Sequence, residues 1–441
     1  MLHNEAFFFN HMKTEQLYQI FRESRGVSTD SRTVEKGQIF FALWGEKYNG
    51  NEFAAEALDK GASWAVIDDP AFETDRSVLV DDTLIELQAL ATHYRKELKI
   101  PVLAVTGTNG KTTTRELITE VAKKKYRVHG TTGNLNNSIG VPLTILAAPP
   151  DTQLMVIEMG ANHLGEIRSL CLIARPDYGI ITNVGTSHIE GFGSLDGVLK
   201  AKTELYEYLR KVNGIAIYND RDPVLKDKIF KLVNRAVPIS DPTGVDLEVV
   251  IVSDDLNLVV EASFQNRTHN IKTNLFGRYN LENIKTAIAT GLFLEVDMED
   301  IVAAITDYSP VNNRSQVKVT KHNTIVCDSY NANPSSMKLA LESFGGIKAE
   351  RKMVILGDML ELGDRTDAEH ITVLEEVYKM KDTEVLLAGT TFAKYADDYG
   401  FKAFPDVNSL ADHIRSKPVK GYSILVKGSR GIALEKTYDL L

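Results

Sequence analysis

Residues Val102 to Thr114 read V-L-A-V-T-G-T-N-G-K-T-T-T. Apolar residues suited to a buried parallel strand run directly into a Gly-Lys-Thr turn, after which Leu117, Ile118, Val121 and Ala122 repeat at helical spacing. A strand, a phosphate-binding loop and a helix are predicted. Gly107 and Gly110 let the loop turn its amide N–H groups inward on a polyphosphate, at the positive end of the new helix. In such a loop Lys111 reaches the β- and γ-phosphates and the Thr112 hydroxyl meets Mg²⁺. The general pattern has a glycine six residues before the lysine; here that residue is Val105, and the glycine falls at 107. An ordinary glycine turn is the competing reading, and the strand in front and helix behind favour nucleotide binding.

At 441 residues the chain exceeds one core and suggests about three domains of ~100 to 200 residues each. A net charge of -10 argues against a nucleic-acid surface, so positive charge for anionic substrates has to be concentrated locally. The opening MLHNEAFFFNHMKTEQ carries no basic leader and no small-residue cleavage site, and no run of about 20 apolar residues follows. A cytoplasmic monomer without membrane insertion is expected. Cys171 and Cys327 lie in apolar segments without metal-type spacing and read as buried free thiols.

The expected fold class is α/β in three domains: a central doubly wound P-loop ATPase domain (99–310), an N-terminal α/β domain (1–98) and a C-terminal Rossmann-like domain (311–441). In the first, strand-like runs 38–43, 64–67 and 78–80 alternate with helical runs 53–60 and 84–98. Asp30-Ser31-Arg32 precedes a turn and a strand, where loops carry function; a helix cap beside a solvated arginine is an equal reading. In the second, strands at 102–105, 154–157, 178–184 and 214–218 alternate with helices ending near Lys125, Ala174 and Leu209. Ligands of such sheets bind at the carboxyl ends of the strands.

Polar residues gather at those ends. Glu158 caps the strand T-Q-L-M-V-I and is placed to hold Mg²⁺, against the alternative of a solvent-facing strand end. His188 lies in the glycine-rich T-S-H-I-E-G-F-G, with a metal role and a structural role equally open. Lys202 is on the next helix, where periodicity favours a solvated side chain. From 237 to 276, alternating runs with turn residues suggest antiparallel hairpins at a sheet edge, and helices 280–295 and 298–307 follow. After Pro310 and Asn312-Asn313, strands and helices alternate again. Polar clusters begin at Asp328, Gly357 and Lys427, each at a strand end, while the absence of G-x-G-x-x-G argues against a nicotinamide or flavin site.

Taken together the segments D-S-R-T-V-E-K-G-Q-I-F-F-A-L-W-G-E, T-G-T-N-G-K-T-T-T, G-N-L-N-N-S-I-G-V-P-L-T, E-M-G-A-N-H-L-G-E-I, H-I-E-G-F-G-S, G-R-Y-N-L-E-N, N-R-S, D-S-Y-N-A-N-P-S-S-M and G-D-M-L-E-L-G resemble the Mur ligases of bacterial cell-wall synthesis. Y-N-A-N-P and G-D-M-x-E-L-G favour the branch that adds a dipeptide over those adding the second or third amino acid, and the D-N-P-R segment of the diaminopimelate-adding branch is absent. The resemblance implies an ATP-dependent ligase whose partners are UDP-N-acetylmuramoyl-tripeptide and D-alanyl-D-alanine, acting through an acyl phosphate. A folylpolyglutamate synthase on the same ATPase core is a rival that the N-terminal D-S-R segment argues against. A nucleotide-binding scaffold without catalysis is another, opposed by intact Lys111, Glu158, His188 and Asp328.

Carried over by resemblance, Gly107, Thr108, Asn109, Gly110, Lys111, Thr112 and Thr113 cradle ATP. Thr112 and Glu158 serve one Mg²⁺ and His188 a second metal site, while Lys202 matches a lysine that several members carbamylate. Asn280 and Asn283 match adenine-side asparagines, Arg314 an arginine reaching ATP, and Asp328 the acid meeting the nucleotide. Asn331, Asn333, Lys427 and Arg430 line the meeting place of nucleotide and dipeptide, and Asn137, with Ser31 and Arg32, serves the sugar-nucleotide. Tyr279 stands where the family commonly has histidine, and Asn49-Gly50-Asn51-Glu52-Phe53 where it has D-x-H-D-F.

Overall fold

Short apolar runs bounded by Gly, Pro or Asx become strands in this chain, and helical repeats fill the intervals. The computed structural model describes residues 13–185, 189–226 and 228–441, so the opening aromatic run and His188 lie outside the described residues. The strands are β1 (Val27–Ser28), β2 (Ile39–Phe41), β3 (Trp64–Ile67), β4 (Ser77–Leu79), β5 (Val102–Thr106), β6 (Val128–Gly130), β7 (Leu154–Glu158), β8 (Tyr178–Ile181), β9 (Ile215–Tyr218) and β10 (Arg235–Pro238). They continue as β11 (Leu247–Asp254), β12 (Leu258–Phe264), β13 (Arg267–Lys272), β14 (Gln316–Val319), β15 (Thr324–Asp328), β16 (Lys352–Gly357), β17 (Thr383–Ala388), β18 (Lys402–Phe404) and β19 (Ser423–Lys427). Sheet orders are β1-β2-β3-β4, β10-β9-β8-β5-β7-β6, β11-β12-β13 and β14-β15-β19-β16-β17-β18. The reversals of order in the two six-stranded sheets are those of doubly wound folds, and the α/β expectation holds.

Packing divides the chain into two units. The first comprises the chain through Ala104, Arg127–Gly160 and Glu166–Asp177; the second comprises Val105–Tyr126, Ala161–Gly165 and Tyr178–Leu441.

In the first unit β1 to β4 are all parallel, and Phe40, Ala42, Ala57, Leu58 and Ile67 form one core against the helix Ala54–Asp59. Asn51 is wholly buried; its amide donates to Asn49 Oδ1 and Asp68 Oδ1, each at 2.8 Å. The segment that departs from D-x-H-D-F thus holds its own loop together. Arg95, on the helix Thr83–Leu98, is buried and donates to the carbonyls of Ala174 (2.9 Å) and Arg175 (3.1 Å) and to Asp177 Oδ2 (3.0 Å). Those carbonyls end the helix Glu166–Ala174, where backbone acceptors lack intrahelical partners. Asp177 Oδ2 also accepts from Val102 N at the start of β5 (2.9 Å).

In the second unit, residues 247–272 form a separate antiparallel sheet, not hairpins at the edge of the six-stranded one. That edge is β10, parallel to β9. Along β12, Leu258, Val260, Ala262 and Phe264 are buried and their neighbours partly exposed, so the run has a face of its own to bury, and β13 packs on the helix Met298–Asp307. The β12–β13 turn falls on Gln265 and Asn266, both left-handed (φ 50° and 59°), and Arg267 already belongs to β13. The run expected as a strand over 178–184 leaves the sheet after Ile181. In the last sheet β14 is antiparallel to β15 and the remaining pairs are parallel. Both cysteines are free and buried, as expected.

Among the described residues, no helix is long and apolar enough to cross a membrane.

Replacing Arg95 by alanine leaves buried carbonyls without their donor and should lower unfolding free energy by about 2 to 4 kcal/mol. A urea midpoint within error of wild type would contradict this.

Candidate functional site

The phosphate loop is built as the residues dictate. All five residues of β5 are buried, the helix Lys111–Lys123 begins directly after Gly110, and residues 107–110 turn between them. Gly107 and Gly110 have φ of 143° and 78°, where side chains are disfavoured. A Cβ on Gly107 would collide with Thr182 Oγ1, and one on Gly110 with Asn283 Oδ1.

Residues leaving β8 hold this loop. Thr108 N donates to Asn183 O and Asn109 N to Asn183 Oδ1, both at 3.0 Å. Asn109 O accepts from Thr182 Oγ1 (2.6 Å) and Asn183 Nδ2 (3.0 Å), and Gly185 N donates to Thr108 Oγ1 (2.9 Å). The early end of β8 frees Thr182 and Asn183 for this, roles that the expected strand over 178–184 conceals. Lys111 Nζ donates to the carbonyls of Gly107 and Thr108, both at 2.9 Å, so the cation sits on the loop it serves. Thr112 and Thr113 are buried.

Asn280 and Asn283 brace the loop's helix. Thr114 Oγ1 donates to Asn283 Oδ1 (3.0 Å), Asn283 Nδ2 to Asn280 Oδ1 (2.8 Å), and Asn280 Nδ2 to Phe276 O (2.7 Å). Glu116, two residues on, accepts from Tyr308 Oη (2.6 Å), Asn312 Nδ2 (2.9 and 3.0 Å) and Arg115 Nη2 (3.1 Å). Its carboxylate ties the helix to residues 308–312, and burial together with that negative charge pushes the Tyr308 phenol far above its usual range.

The second polar cluster surrounds the end of β15. Asn109 Nδ2 donates to Ser335 Oγ and Asn333 Nδ2 to Asn109 Oδ1, both at 2.9 Å, so the phosphate loop is hydrogen-bonded to the start of the helix Pro334–Gly346. Asn333 also caps that helix through Ser336 N. Asp328 is buried, accepts from Ser315 N (2.9 Å) and pairs with buried Lys427 at 2.6 Å. Tyr279, in place of the family's histidine, shares a hydrogen bond with Ser315 Oγ (2.9 Å). Arg314 lies over the ring of Tyr330, as does the exposed Arg430. Asn331 is exposed and accepts from Ala332 N. Sequence reasoning gave Ser315, Tyr330 and Ser335 no role of their own, although all three lie within segments it selected.

Buried charges mark two further positions. Glu158 ends β7 at 1% exposure, which excludes the solvent-facing alternative, and accepts from Asn136 Nδ2 at 2.8 Å. Lys202 is 2% exposed, against the solvated reading, with Nζ 3.4 Å from Ala161 O and 5.3 Å from the centroid of Phe192. Among the described residues no three His, Cys, Asp or Glu side chains gather as a metal site, and His188 lies outside them.

Other selected residues have structural work. Asn137 is exposed, and its Oδ1 accepts from Ile139 N and Gly140 N at the start of the helix Gly140–Leu146. Ser31 is buried and its carbonyl accepts from Lys60 Nζ (2.9 Å). Arg32 is exposed and paired with Asp30 at 2.7 Å, and that pairing lowers the Asp30 carboxyl to about 2. In G-D-M-L-E-L-G, Asp358 accepts from Thr391 N and Phe392 N, both at 2.9 Å. Buried His370 Nε2 accepts from Met359 N (3.0 Å), leaving Nδ1–H to donate to Thr366 O (2.7 Å). This cluster is a structural joint.

Three family models match: the Mur ligase family catalytic domain over 23–113, the Mur ligase middle domain over 105–291 and the Mur ligase glutamate ligase domain over 313–430. The chain is 34% identical to the UDP-N-acetylmuramoyl-tripeptide--D-alanyl-D-alanine ligase of Bacillus subtilis, covering 93% of this chain and 92% of that one. Among solved structures it is similar to the MurF ligase of Thermotoga maritima in complex with ADP (TM-score 0.81, 26% identity, 97% and 98% coverage). It is also similar to the corresponding ligase of Acinetobacter baumannii (TM-score 0.83, 26% identity, 97% and 98% coverage).

Burial lowers the His370 imidazole below its ordinary value of about 6.5. Protonating it would also break the bond from Met359 N. A depressed folded value means that its contribution is complete above the unfolded value and is lost as pH falls through the folded one. Between about pH 7.5 and 5 wild type should lose stability with a slope of up to ~1.4 kcal/mol per pH unit from this group, and His370→Gln should flatten that slope. Equal slopes in urea titrations would refute the assignment.

Proposed function

The chain belongs to the Mur ligase family, and on that premise we propose that it is an ATP-dependent amide-forming ligase joining D-alanyl-D-alanine to UDP-N-acetylmuramoyl-tripeptide, making the pentapeptide precursor of peptidoglycan. It acts as a cytoplasmic monomer with three domains, 1–98 for the sugar-nucleotide, 99–310 for ATP and 311–441 for closure over ATP and delivery of the dipeptide. The observation that carries this reading is the phosphate loop between a buried strand and a helix, hydrogen-bonded through Asn109 to Asn333 and Ser335.

In the first step a tripeptide carboxylate oxygen attacks the γ-phosphorus. The bond to the β,γ-bridging oxygen breaks, ADP leaves with the electron pair, and an acyl phosphate remains. In the second, the dipeptide amine attacks the acyl carbon, the C–N bond forms, phosphate departs with the C–O pair, and the amine loses a proton. Phosphoryl transfer needs positioning and charge neutralisation more than covalent help. The amides at the start of the loop's helix and Lys111 meet the phosphates, while those of Thr108 and Asn109 stay on Asn183, and Lys111 leaves the carbonyls of Gly107 and Thr108 to do so. Arg314 adds a second cation. The buried Lys427 pairs with Asp328 at the strand end, where the resemblance places the nucleotide. Asn280 and Asn283 hold the loop's helix in register while serving the adenine side.

Magnesium, when bound, supplies Lewis-acid neutralisation of phosphate charge. The residues assigned to it are Thr112, Glu158, His188 and Lys202. A buried carboxylate fits a hard cation. An ammonium does not, so Lys202 serves only as a carbamate, formed when its neutral amine attacks CO₂ and releases a proton. Protein equilibrated with ¹³C-bicarbonate should show a carbamate carbon signal that is missing in Lys202→Arg. Identical spectra would remove Lys202 from the metal set.

The function is tested by phosphate release from ATP with Mg²⁺, omitting the tripeptide nucleotide or the dipeptide in turn. Release should require both and yield a pentapeptide product by mass. Lys111→Ala should lower turnover by about 10²-fold or more with unchanged thermal unfolding, since its ammonium rests on carbonyls of the loop. Release independent of the dipeptide, or substantial activity in Lys111→Ala, would overturn the reading.

A further inference from the structure

Two arginines 116 positions apart, Arg314 and Arg430, each lie over the ring of Tyr330. The guanidinium carbon of Arg314 lies 3.7 Å from the centroid of Tyr330, and that of Arg430 lies 5.4 Å from it. Like charges repel, and the electron-rich ring of a phenol attracts both. The setting of Arg314 is unusually determined. Its neighbours Asn313 and Ser315 both have left-handed backbone, φ 57° and 51°. Ser315 is bonded through N to Asp328 (2.9 Å), through O to Phe276 N (2.9 Å) and through Oγ to Tyr279 (2.9 Å), while Asn313 O accepts from Tyr330 N (3.2 Å). Strained backbone held by this many bonds clusters at functional sites.

Arg314 Nε is buried without a hydrogen-bond partner among the described residues. A charged donor kept in that state suits an anion. The ring belongs to the loop that follows β15, which Asn333 ties to Asn109 of the phosphate loop at 2.9 Å. The stack is thereby anchored to the element that holds phosphate.

We propose that Tyr330 is a positioning residue that keeps Arg314 and Arg430 together as a paired receiver for the terminal phosphoryl group of ATP. The inference rests on the ATP-using reading above. Two planar forks can meet several oxygens of one phosphoryl group, and the ring fixes both before the nucleotide arrives. The residue that holds the pair donates nothing to the reaction itself.

The test is calorimetric titration of β,γ-methylene-ATP and of ADP, each with Mg²⁺, into wild type, Tyr330→Phe, Tyr330→Leu, Tyr330→Met, Arg430→Ala and the Tyr330→Leu/Arg430→Ala double variant. ADP lacks the group in question. Tyr330→Leu should weaken the analogue about tenfold or more and ADP less than about twofold, while Tyr330→Phe, which keeps the ring, stays near wild type. Arg430→Ala should show the same selective loss, and the double variant should be no weaker than the worse single one. In turnover, kcat should fall with the KM for the dipeptide unchanged. Parallel loss of both nucleotides would mean a structural role and overturn the proposal. So would a Phe variant as poor as Leu, additive losses, or a shifted dipeptide KM, which would move the stack to the dipeptide carboxylate. If Tyr330→Leu does not fold, Tyr330→Met and Arg430→Ala carry the same comparison. Selective loss of the analogue alongside failed ligation in wild type overturns the ligase reading alone; ligation without selectivity overturns the stack alone.

Discussion

A loop that has to leave room for phosphate is short of hydrogen bonds within itself that would hold it in shape. In this chain the shape comes from outside the loop. Thr182 and Asn183 take hold of Asn109 O, Asn183 takes Thr108 and Asn109 by their amides, and Asn283 braces the following helix through Thr114. The glycines allow these approaches because a Cβ at 107 or 110 would occupy the place of Thr182 Oγ1 or Asn283 Oδ1. Each such bond contributes only about 1 kcal/mol net, so the geometry depends on their number and on their common target.

Charge burial is the second constraint. Asp328 with Lys427, Glu116 with Arg115, and Arg95 with Asp177 each place at least one ionised group largely out of water. An isolated buried charge costs several kcal/mol, more than any single loop bond returns, so partners are obligatory. Each charge lies where an element meets another: Glu116 joins the loop's helix to residues 308–312, and Asp328 joins β15 to Ser315 and β19. The expense of burial is borne at junctions.

The strand, loop and helix from Val102 onward were legible because their signal is local: an apolar run, two glycines, then a helical repeat. So were most strands of the last sheet. Which sheet a strand joins is decided by distant partners, and residues 247–272 accordingly form their own sheet where alternation alone suggested an edge. Asn136 and Asn137 look alike in sequence, yet one meets Glu158 and the other starts a helix, a choice made by which way the loop turns. Lys202 defeats periodicity, since a polar residue on the buried face of a helix reads as surface. Asp358, in G-D-M-L-E-L-G, resembled a site residue because catalytic and structural polar clusters use the same side chains; its bonds to the amides of Thr391 and Phe392 are visible only in the fold. Tyr330 carries no motif that announces two arginines arriving from either side of it in the chain.

The two thiols have a use that follows from their placement. Both are inaccessible, and burial also raises Cys327 to about 11, so neither meets an attacking reagent in the folded chain. Modification therefore measures transient opening and nothing else. Cys171 lies on the helix Glu166–Ala174 in the first unit; Cys327 lies in β15 of the second, one residue before Asp328. Each unit carries its own internal clock, and the two can be read from the same sample by mass.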